Sequence, residues 1–194
     1  MASSVTQQPA LGPKLAPFTP SGDGVLDHVL DLLALSSDDV LFDLGCGDAR
    51  VLVHAAEKIG ARCIGVEYNA ELVTRAQARV EVATRGRSCW QAGQATDWIF
   101  VVQLMQEHGV GALVDIRHGD ALEVDLTPAT ALFLYLVPQG IKMLLPKLEE
   151  ARRLHVRIVT YVFSIPDWKP DDQRIYKGTK VRLLFSGERA PCPW

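Results

Sequence analysis

A glycine-rich turn links an apolar run to a helix-forming segment in residues 40–50, which read VLFDLGCGDAR. The apolar run is typical of a buried parallel strand. Gly45 and Gly47 have no Cβ atom, so the backbone can turn sharply there and a ligand can lie against it. The helix that follows presents free N–H groups and the positive end of its dipole. The pattern predicts a strand–turn–helix unit that binds a nucleotide-like cofactor.

Strands and helices alternate beyond this unit. Residues 62–67 predict a second strand, and residues 70 to about 84 predict a helix with one apolar face. This alternation implies parallel strands joined by right-handed crossovers. Ser21 is predicted to cap the first helix. The other predicted elements are helices at residues 21–35, 50–59, 95–108 and 139–153, and strands at residues 113–117, 130–137, 156–163 and 180–185, the last paired with residues 174–176 in a hairpin.

The length of the chain bounds its domain organisation. The 194 residues are about one domain's worth. Residues 1–20 contain four prolines and predict a flexible N-terminal arm, while residues 21–194 predict a single domain. Residues 86–111 form an insertion, which is either a substrate-facing lid or a packed extra helix.

Charge and hydropathy exclude several classes of protein. A net charge of −3 gives no reason to expect nonspecific binding to nucleic acid, which needs a basic stripe. The longest apolar stretch, residues 131–138, is far shorter than the roughly 18–20 residues that cross a bilayer. The first 20 residues resemble neither a secretory signal nor a transit peptide, and they carry no hydrophobic anchor. The four cysteines are irregularly spaced, which favours free thiols over a metal site. We therefore expect a cytoplasmic protein with no stable membrane anchor.

The residues around the turn discriminate between cofactors. A dinucleotide fingerprint has a third glycine where this chain has Arg50, and the carboxylates of Asp43 and Asp48 would repel phosphates. Both carboxylates suit a ligand that bears an ammonium and a sulfonium. Glu67, at the end of the second strand, can accept hydrogen bonds from both hydroxyls of a ribose. These features favour S-adenosyl-L-methionine, the alternative being a plain tight turn in which Asp48 caps the helix.

Three motifs resemble those of class I, seven-strand S-adenosylmethionine-dependent methyltransferases: DLGCGDAR, GVEYN (65–69) and RHGDAL (117–122). Further stretches are similar to a group of small protein-lysine methyltransferases that act on the ATP synthase c-subunit and the adenine nucleotide translocase. These stretches are PFTPS (17–21), LFLYLVPQ (132–139) and RIVTYVFSIPDWKPD (157–171). The resemblance covers about residues 15–186. It implies an α/β, doubly wound, Rossmann-like three-layer sandwich with a mostly parallel seven-stranded sheet and an antiparallel C-terminal strand.

The resemblance also implies a set of site residues. Residues at the glycine turn would line the methionine end of the cofactor, Glu67 would hold the ribose, and Asp120 with Ala121 would receive the adenine. The residues that follow the fourth strand would lie beside the reactive methyl group. The cofactor-binding residues expected in this way are Asp43, Gly45, Cys46, Gly47, Glu67, Tyr68, Asp120, Ala121, Tyr135 and Leu136.

The acceptor is less constrained than the cofactor. Enzymes that methylate planar amines typically carry an Asn/Asp-Pro-Pro-aromatic motif after the fourth strand, and residues 135–138 read YLVP instead. The resemblance therefore favours a protein lysine over an adenine or glutamine. Tyr135 and Asp167 are candidates to orient the amine. Phe18 and Trp168 are candidates to wall a lysine channel, or are ordinary core aromatics.

Two alternatives to a protein-lysine methyltransferase stay open. One is a methyltransferase for a small molecule, because a chain of 194 residues leaves only the arm, the insertion and the C-terminal third to build a substrate site. The other is a module that binds the cofactor without catalysis and recruits a partner.

Overall fold

The computed structural model of the chain describes residues 14–85 and 109–185. The predicted helix at residues 95–108 and nearly all of the predicted insertion lie outside these ranges. The helices are α1 (Asp23–Leu33), α2 (Arg50–Ile59), α3 (Ala70–Arg85) and α4 (Pro138–Arg153), with a short 3-10 helix at Val110–Ala112. The strands are β1 (Val40–Leu44), β2 (Arg62–Glu67), β3 (Val114–His118), β4 (Ala131–Leu134), β5 (Arg157–Tyr161), β6 (Asp172–Tyr176) and β7 (Thr179–Phe185).

The strands form one seven-stranded sheet in the order β3-β2-β1-β4-β5-β7-β6. The first five strands pair in parallel, and β7 is antiparallel to both β5 and β6. The predicted mixed seven-stranded sheet is therefore confirmed. The strand order reverses between β1 and β4, and the crevice above such a reversal is where open α/β sheets bind ligands.

Helices pack on both faces of the sheet and complete three layers. The apolar sides of α1, α2 and α3 are buried on one face, whereas α4 covers the other. The central strands are apolar on both sides, because β1 and β4 are covered from above and below. Among the residues that the structure describes, no helix combines the length and the apolar composition needed to cross a membrane.

Two predicted strands end earlier than expected. β4 stops at Leu134 rather than Val137, because the chain turns out of the sheet toward the crevice. β5 stops at Tyr161 rather than Phe163, because Val162 has a φ angle of 68° and cannot continue an extended strand. An apolar run alone does not show where a strand leaves the sheet.

The start of α1 also differs from prediction. Gly22 is the N-cap, and it provides no side-chain hydrogen bond to the helix. Ser21 is not the cap; it is buried, and its carbonyl oxygen accepts a hydrogen bond of 2.7 Å from the Arg50 guanidinium. This bond joins the start of α1 to the glycine turn.

A buried ion pair at the amino ends of the strands ties α1 to the sheet. Arg157 at the start of β5 pairs with Asp39 just before β1, and the side chains of both are 8% exposed. The same guanidinium donates to the carbonyl oxygens of Leu33 and Ala34, where α1 ends. Thr130 donates its hydroxyl to Asp39 at 2.8 Å. This network lies at the opposite edge of the sheet from the crevice.

Candidate active site

A cleft opens above the carboxyl ends of β1, β2 and β4. Its walls come from the glycine turn, the segments after β3 and β4, and the N-terminal segment at residues 14–21. The expected cofactor-binding residues all line it: Asp43, Gly45, Cys46, Gly47, Glu67, Tyr68, Asp120, Ala121, Tyr135 and Leu136. The structure thus brings together residues that are up to 93 positions apart in the sequence, from Asp43 to Leu136 (136 − 43).

The glycine turn has the backbone that its sequence predicts. Gly45 and Gly47 have φ angles of 88° and 58°, which favour glycine. The N–H groups of Gly45 and Cys46 donate to the Val66 carbonyl at 2.8 and 3.2 Å, so the turn is fixed to the end of β2. A Cβ atom on Gly47 would come within 2.6 Å of the Phe18 ring. The turn is therefore a bare, rigid floor for a ligand.

Glu67 is held in position before any ligand binds. It is buried at the end of β2, where one carboxylate oxygen accepts from the Gly47 N–H and the other from the Asn69 N–H, each at 2.9 Å. Each oxygen keeps a second lone pair. The geometry suits a carboxylate that accepts from two neighbouring hydroxyl groups.

Asp43 is buried at the end of β1, and its side chain has no hydrogen bond to any residue that the structure describes. Burial raises the pKa of this carboxyl well above its ordinary value, and the charges of Glu67 and Asp48 raise it further. A buried carboxyl without a partner is costly unless a ligand supplies one. Asp43 therefore marks a position where the cleft requires a cation or a hydrogen-bond donor.

Asp48 does not act as predicted. It borders the cleft, but its carboxylate receives hydrogen bonds from Arg50 at 2.8 and 3.0 Å and from Arg79 at 2.7 Å. Burial alone would raise the pKa of Asp48, but the hydrogen bond from Arg50 and the charges of both arginines outweigh it and lower the pKa. Asp48 is neither free for a ligand cation nor a regular cap of α2, since the N-cap is Ala49. Its role is to brace the turn against α3.

Asp120 and Ala121 lie beside the cleft after β3. One oxygen of Asp120 accepts from the Leu122 N–H at 2.8 Å, which leaves the other for a ligand. Ala121 is buried next to it. A carboxylate and a backbone N–H at neighbouring positions match the amine and ring nitrogen of an adenine edge.

Tyr68 and Cys46 contribute to the cleft in different ways. Tyr68 is half-buried, and its carbonyl accepts from the His118 ring at 3.0 Å. The Cys46 thiol is buried against Gly65, where an added Cβ would lie 2.7 Å from the sulfur. Burial raises the pKa of this thiol, which keeps it protonated and unreactive. Cys46 therefore serves as packing beneath the turn.

Tyr135 and Leu136 stand opposite the glycine turn. Leu136 is buried, and a Cβ on Gly45 would lie 3.1 Å from its methyl group. The Tyr135 ring meets that of Tyr161 edge to face, with centroids 4.7 Å apart. Burial raises the pKa of Tyr135, and Tyr161 adds to the shift, so Tyr135 is a neutral phenol at neutral pH. Tyr161 was not found from the sequence, although its place at the end of the strand beside β4 could have indicated it.

Asp167 is not among the residues that line the cleft, and its role with the amine stays a prediction. It is exposed in the loop between β5 and β6 and borders a separate surface depression with Arg152, Leu184 and Phe185. Trp168 beside it packs under α4 with the Arg152 guanidinium 5.1 Å from its ring. Trp168 therefore does not wall a channel to the cleft.

The N-terminal segment closes one side of the cleft. Residues 14–21 all line it, and Phe18 covers the glycine turn. The carbonyl of Leu15 lies so close to α4 that a Cβ on Gly140 would be 2.2 Å from its oxygen. Part of the predicted flexible arm thus forms a wall of the site, while residues 1–13 lie outside the described ranges. Because proline restricts the backbone φ angle, the prolines in this segment favour an ordered extended conformation as much as a loose arm.

The charges of the cleft fit S-adenosyl-L-methionine. Asp43, Glu67 and Asp120 all face it, and none has an ion pair with another described residue. A ligand with an ammonium group would compensate Asp43, its ribose would meet Glu67 and its adenine would meet Asp120. A pyrophosphate would instead meet carboxylates, which disfavours a dinucleotide.

The comparisons with known proteins agree with this geometry. Residues 43–172 match the family model described as the ANTKMT methyltransferase domain. A protein-lysine N-methyltransferase of Saccharolobus islandicus (strain REY15A) is 29% identical over 80% of this chain and 82% of its own length. The human lysine N-methyltransferase of the ATP synthase c-subunit is 26% identical over 84% of this chain, which spans only 58% of that protein.

A solved structure extends the likeness to the whole fold. It is described as an RNA methyltransferase from Salinibacter ruber in complex with S-adenosyl-L-homocysteine. It is 30% identical, covers 90% of this chain and 97% of its own, and superimposes with a TM-score of 0.69. A dimethyladenosine transferase from Plasmodium falciparum, 15% identical with a TM-score of 0.51, shares the fold alone. The chain is therefore an S-adenosylmethionine-dependent methyltransferase and belongs to the ANTKMT methyltransferase domain family.

Proposed function

We propose that this enzyme transfers a methyl group from S-adenosyl-L-methionine to the side-chain amine of a lysine in a protein. The observation that carries the proposal is the wall after β4, where residues 135–138 read YLVP and Tyr135 borders the cleft. This wall offers one neutral hydroxyl in apolar surroundings, which suits an amine on a flexible alkyl chain. The curated relatives are named as lysine N-methyltransferases of proteins, the ATP synthase c-subunit among them, which supports the same acceptor.

The residues of the cleft hold the donor in a fixed place. Asp43 faces its ammonium group, Glu67 its ribose hydroxyls and Asp120 its adenine, while the glycine turn lets the backbone approach closely. When bound, S-adenosyl-L-methionine supplies a methyl group on a sulfonium, which an amine displaces directly to leave a thioether. Fixing the two reactants in line is the main contribution that a protein makes to such a displacement.

Removal of a proton from the acceptor is the other requirement. Bringing a lysine from a pKa of about 10.4 to its neutral form at pH 7 costs about 4.6 kcal/mol. An apolar wall reduces this cost because it disfavours the charged form of the amine. Tyr135 stays a neutral phenol, so its oxygen can accept a hydrogen bond and orient the amine, and the released proton passes to solvent.

RNA is the second candidate acceptor, because the solved relative from Salinibacter ruber is described as an RNA methyltransferase. Two observations weigh against RNA for this chain. Residues 135–138 lack the Asn/Asp-Pro-Pro-aromatic motif, and the net charge of −3 gives no overall attraction to a phosphate backbone. The wall after β4 can accommodate the amine of a small molecule as well as that of a lysine, so small molecules are tested together with RNA.

One labelling experiment separates these acceptors. The enzyme is incubated with cell extract and methyl-labelled S-adenosyl-L-methionine, and the products are resolved into protein, RNA and small molecules. We expect the label in protein, and methyllysine after hydrolysis. The Asp43→Ala variant is the matched control, because it removes a residue that faces the donor. Label confined to RNA or to small molecules contradicts the proposal, and cofactor binding without any transfer indicates a non-catalytic module.

We also propose that the enzyme works in the cytoplasm. The two cysteines among the described residues, Cys46 and Cys63, are buried free thiols, as is usual in a reducing compartment. Fractionation of cells with an antibody to the enzyme tests this location, and recovery with membranes or secreted proteins contradicts it.

A further inference from the structure

A second tyrosine stands beside Tyr135 on the side away from the cofactor residues. Tyr161 is the last residue of β5, and because Leu134 is aligned with Thr160 in the parallel pair, Tyr135 and Tyr161 come next to each other. Both are half-buried, and their rings meet at 60°. Neither hydroxyl has a hydrogen bond to another residue that the structure describes. The pair thus presents two phenol hydroxyls that can still receive a ligand.

A strained turn aims Tyr161. Val162 has a φ angle of 68°, which is a rare conformation for a β-branched residue. The Phe163 N–H donates to the Tyr161 carbonyl at 2.9 Å, so the chain reverses within three residues. Backbone outliers of this kind persist only where surrounding contacts hold them, and they cluster at functional sites.

Two contacts from β7 hold that turn. The Val162 N–H donates to the Lys180 carbonyl at 3.0 Å, and the Arg182 guanidinium donates to the Val162 carbonyl at 2.8 Å. The antiparallel hairpin therefore has a function beyond closing the sheet, since it clamps the end of β5 on which Tyr161 lies. Arg182 is half-buried, whereas Arg174 on β6 is exposed and pairs with Asp31 on α1.

We propose that Tyr161 and Tyr135 together form the entry for the methyl acceptor, and that Arg182 positions Tyr161 by clamping the turn at Val162. This inference rests on the proposed function. Aromatic rings attract an ammonium group through their faces and remove it from bulk water as it approaches. The paired hydroxyls accept hydrogen bonds from the amine, so the pair selects an amine at the end of an alkyl chain over a flat base.

The test compares acceptor kinetics with cofactor binding. The probe is a synthetic peptide that carries the lysine identified in the labelling experiment. For Tyr161→Ala we expect an acceptor KM at least about tenfold higher, with the Kd for S-adenosyl-L-homocysteine within about twofold of wild type. Tyr161→Phe keeps the ring and is expected to recover most of that loss. Tyr176→Phe, on the edge strand β6 two positions away from β5 in the sheet, is the matched control.

Arg182 has its own readout. Arg182→Met is expected to raise the acceptor KM at least about threefold without weakening S-adenosyl-L-homocysteine, and Arg182→Lys is expected to restore part of the loss. Arg174→Met on the neighbouring strand should leave the KM unchanged. An unchanged KM in Tyr161→Ala, or equal losses of peptide and cofactor affinity in Arg182→Met, overturns the inference while the wild type still methylates lysine. A wild type that methylates no protein lysine overturns the proposed function as well.

Discussion

Asp43 shows how a single side chain determines which ligand group the cleft can bind. Its buried carboxyl has no partner among the described residues, and its raised pKa follows from burial and from the neighbouring carboxylates. In the free enzyme, lowering the pH through this raised pKa protonates Asp43 and removes the charge that attracts an ammonium group. Binding of that group favours the ionised form and releases a proton.

We expect the affinity for S-adenosyl-L-methionine to fall as the pH is lowered through the pKa of Asp43. Calorimetry in buffers of different ionisation enthalpy should show proton release on binding. Asp43→Asn should bind at least about tenfold more weakly, or ~1.4 kcal/mol, and should lose this part of the pH dependence. Asp115→Asn, an exposed acid on β3, is the control. A variant that retains the wild-type pH profile would show that another group controls binding.

Residues at strand ends were predictable because their position follows from the strand pattern. Glu67 is the last residue of β2 and Asp43 the next-to-last residue of β1, and the carboxyl ends of parallel strands meet at one edge. Asp48 was misassigned because one of its partners, Arg79, is 31 residues away on a helix whose rotation the sequence does not show. The position of Asp167 outside the cleft lining could not be predicted, because the path of an irregular loop depends on tertiary packing.

At the scale of elements, the N-terminal segment at residues 14–21 and the hairpin of β6 and β7 are positioned by contacts that the hydrophobic periodicity of the sequence does not reveal. Residues 14–20 have no regular pattern, yet Leu15 and Phe18 fit against glycines at 140 and 47. Only the absence of a side chain on those glycines signals the contact in the sequence. β5 ends at the turn of Val162, which contacts from β7 hold, and β4 ends where the chain leaves the sheet toward the cleft, so both strands were predicted too long.

The ion pair between Arg157 and Asp39 joins α1, β1 and β5. Asp39→Asn leaves the buried guanidinium without its carboxylate, which costs about 3–5 kcal/mol of unfolding free energy. Chemical denaturation should show a lower midpoint with an unchanged slope. Asp38→Asn, in the neighbouring position, should unfold like wild type. Equal denaturation midpoints for the two variants would mean that hydrogen bonds, and not the ion pair, join α1 to β1 and β5.

For the whole molecule, ligand binding stabilises the fold because the cleft exists only when segments between residues 14 and 136 have come together. At a concentration one hundred times its Kd, S-adenosyl-L-homocysteine should stabilise the fold by about 2.7 kcal/mol. In a chain of this size that corresponds to a rise in Tm of about 5–11 °C. Differential scanning calorimetry measures this shift.

Glu67→Ala is the matched variant for this shift. This substitution removes the carboxylate that faces the ribose, so the Kd for S-adenosyl-L-homocysteine should rise at least about tenfold. At the same ligand concentration, the stabilisation by the ligand should be smaller by ~1.4 kcal/mol, and the rise in Tm should be smaller in proportion. An undiminished shift would place the ribose elsewhere in the cleft.

The N-terminal segment at residues 14–21 has a kinetic consequence. If this segment also covers a bound product, the product leaves only after Phe18 has moved away from Gly47 and Leu15 away from α4. We then expect turnover at saturating substrate to depend on this movement as well as on the chemical step. We expect a bulky fusion partner at the N-terminus to slow the movement of this segment.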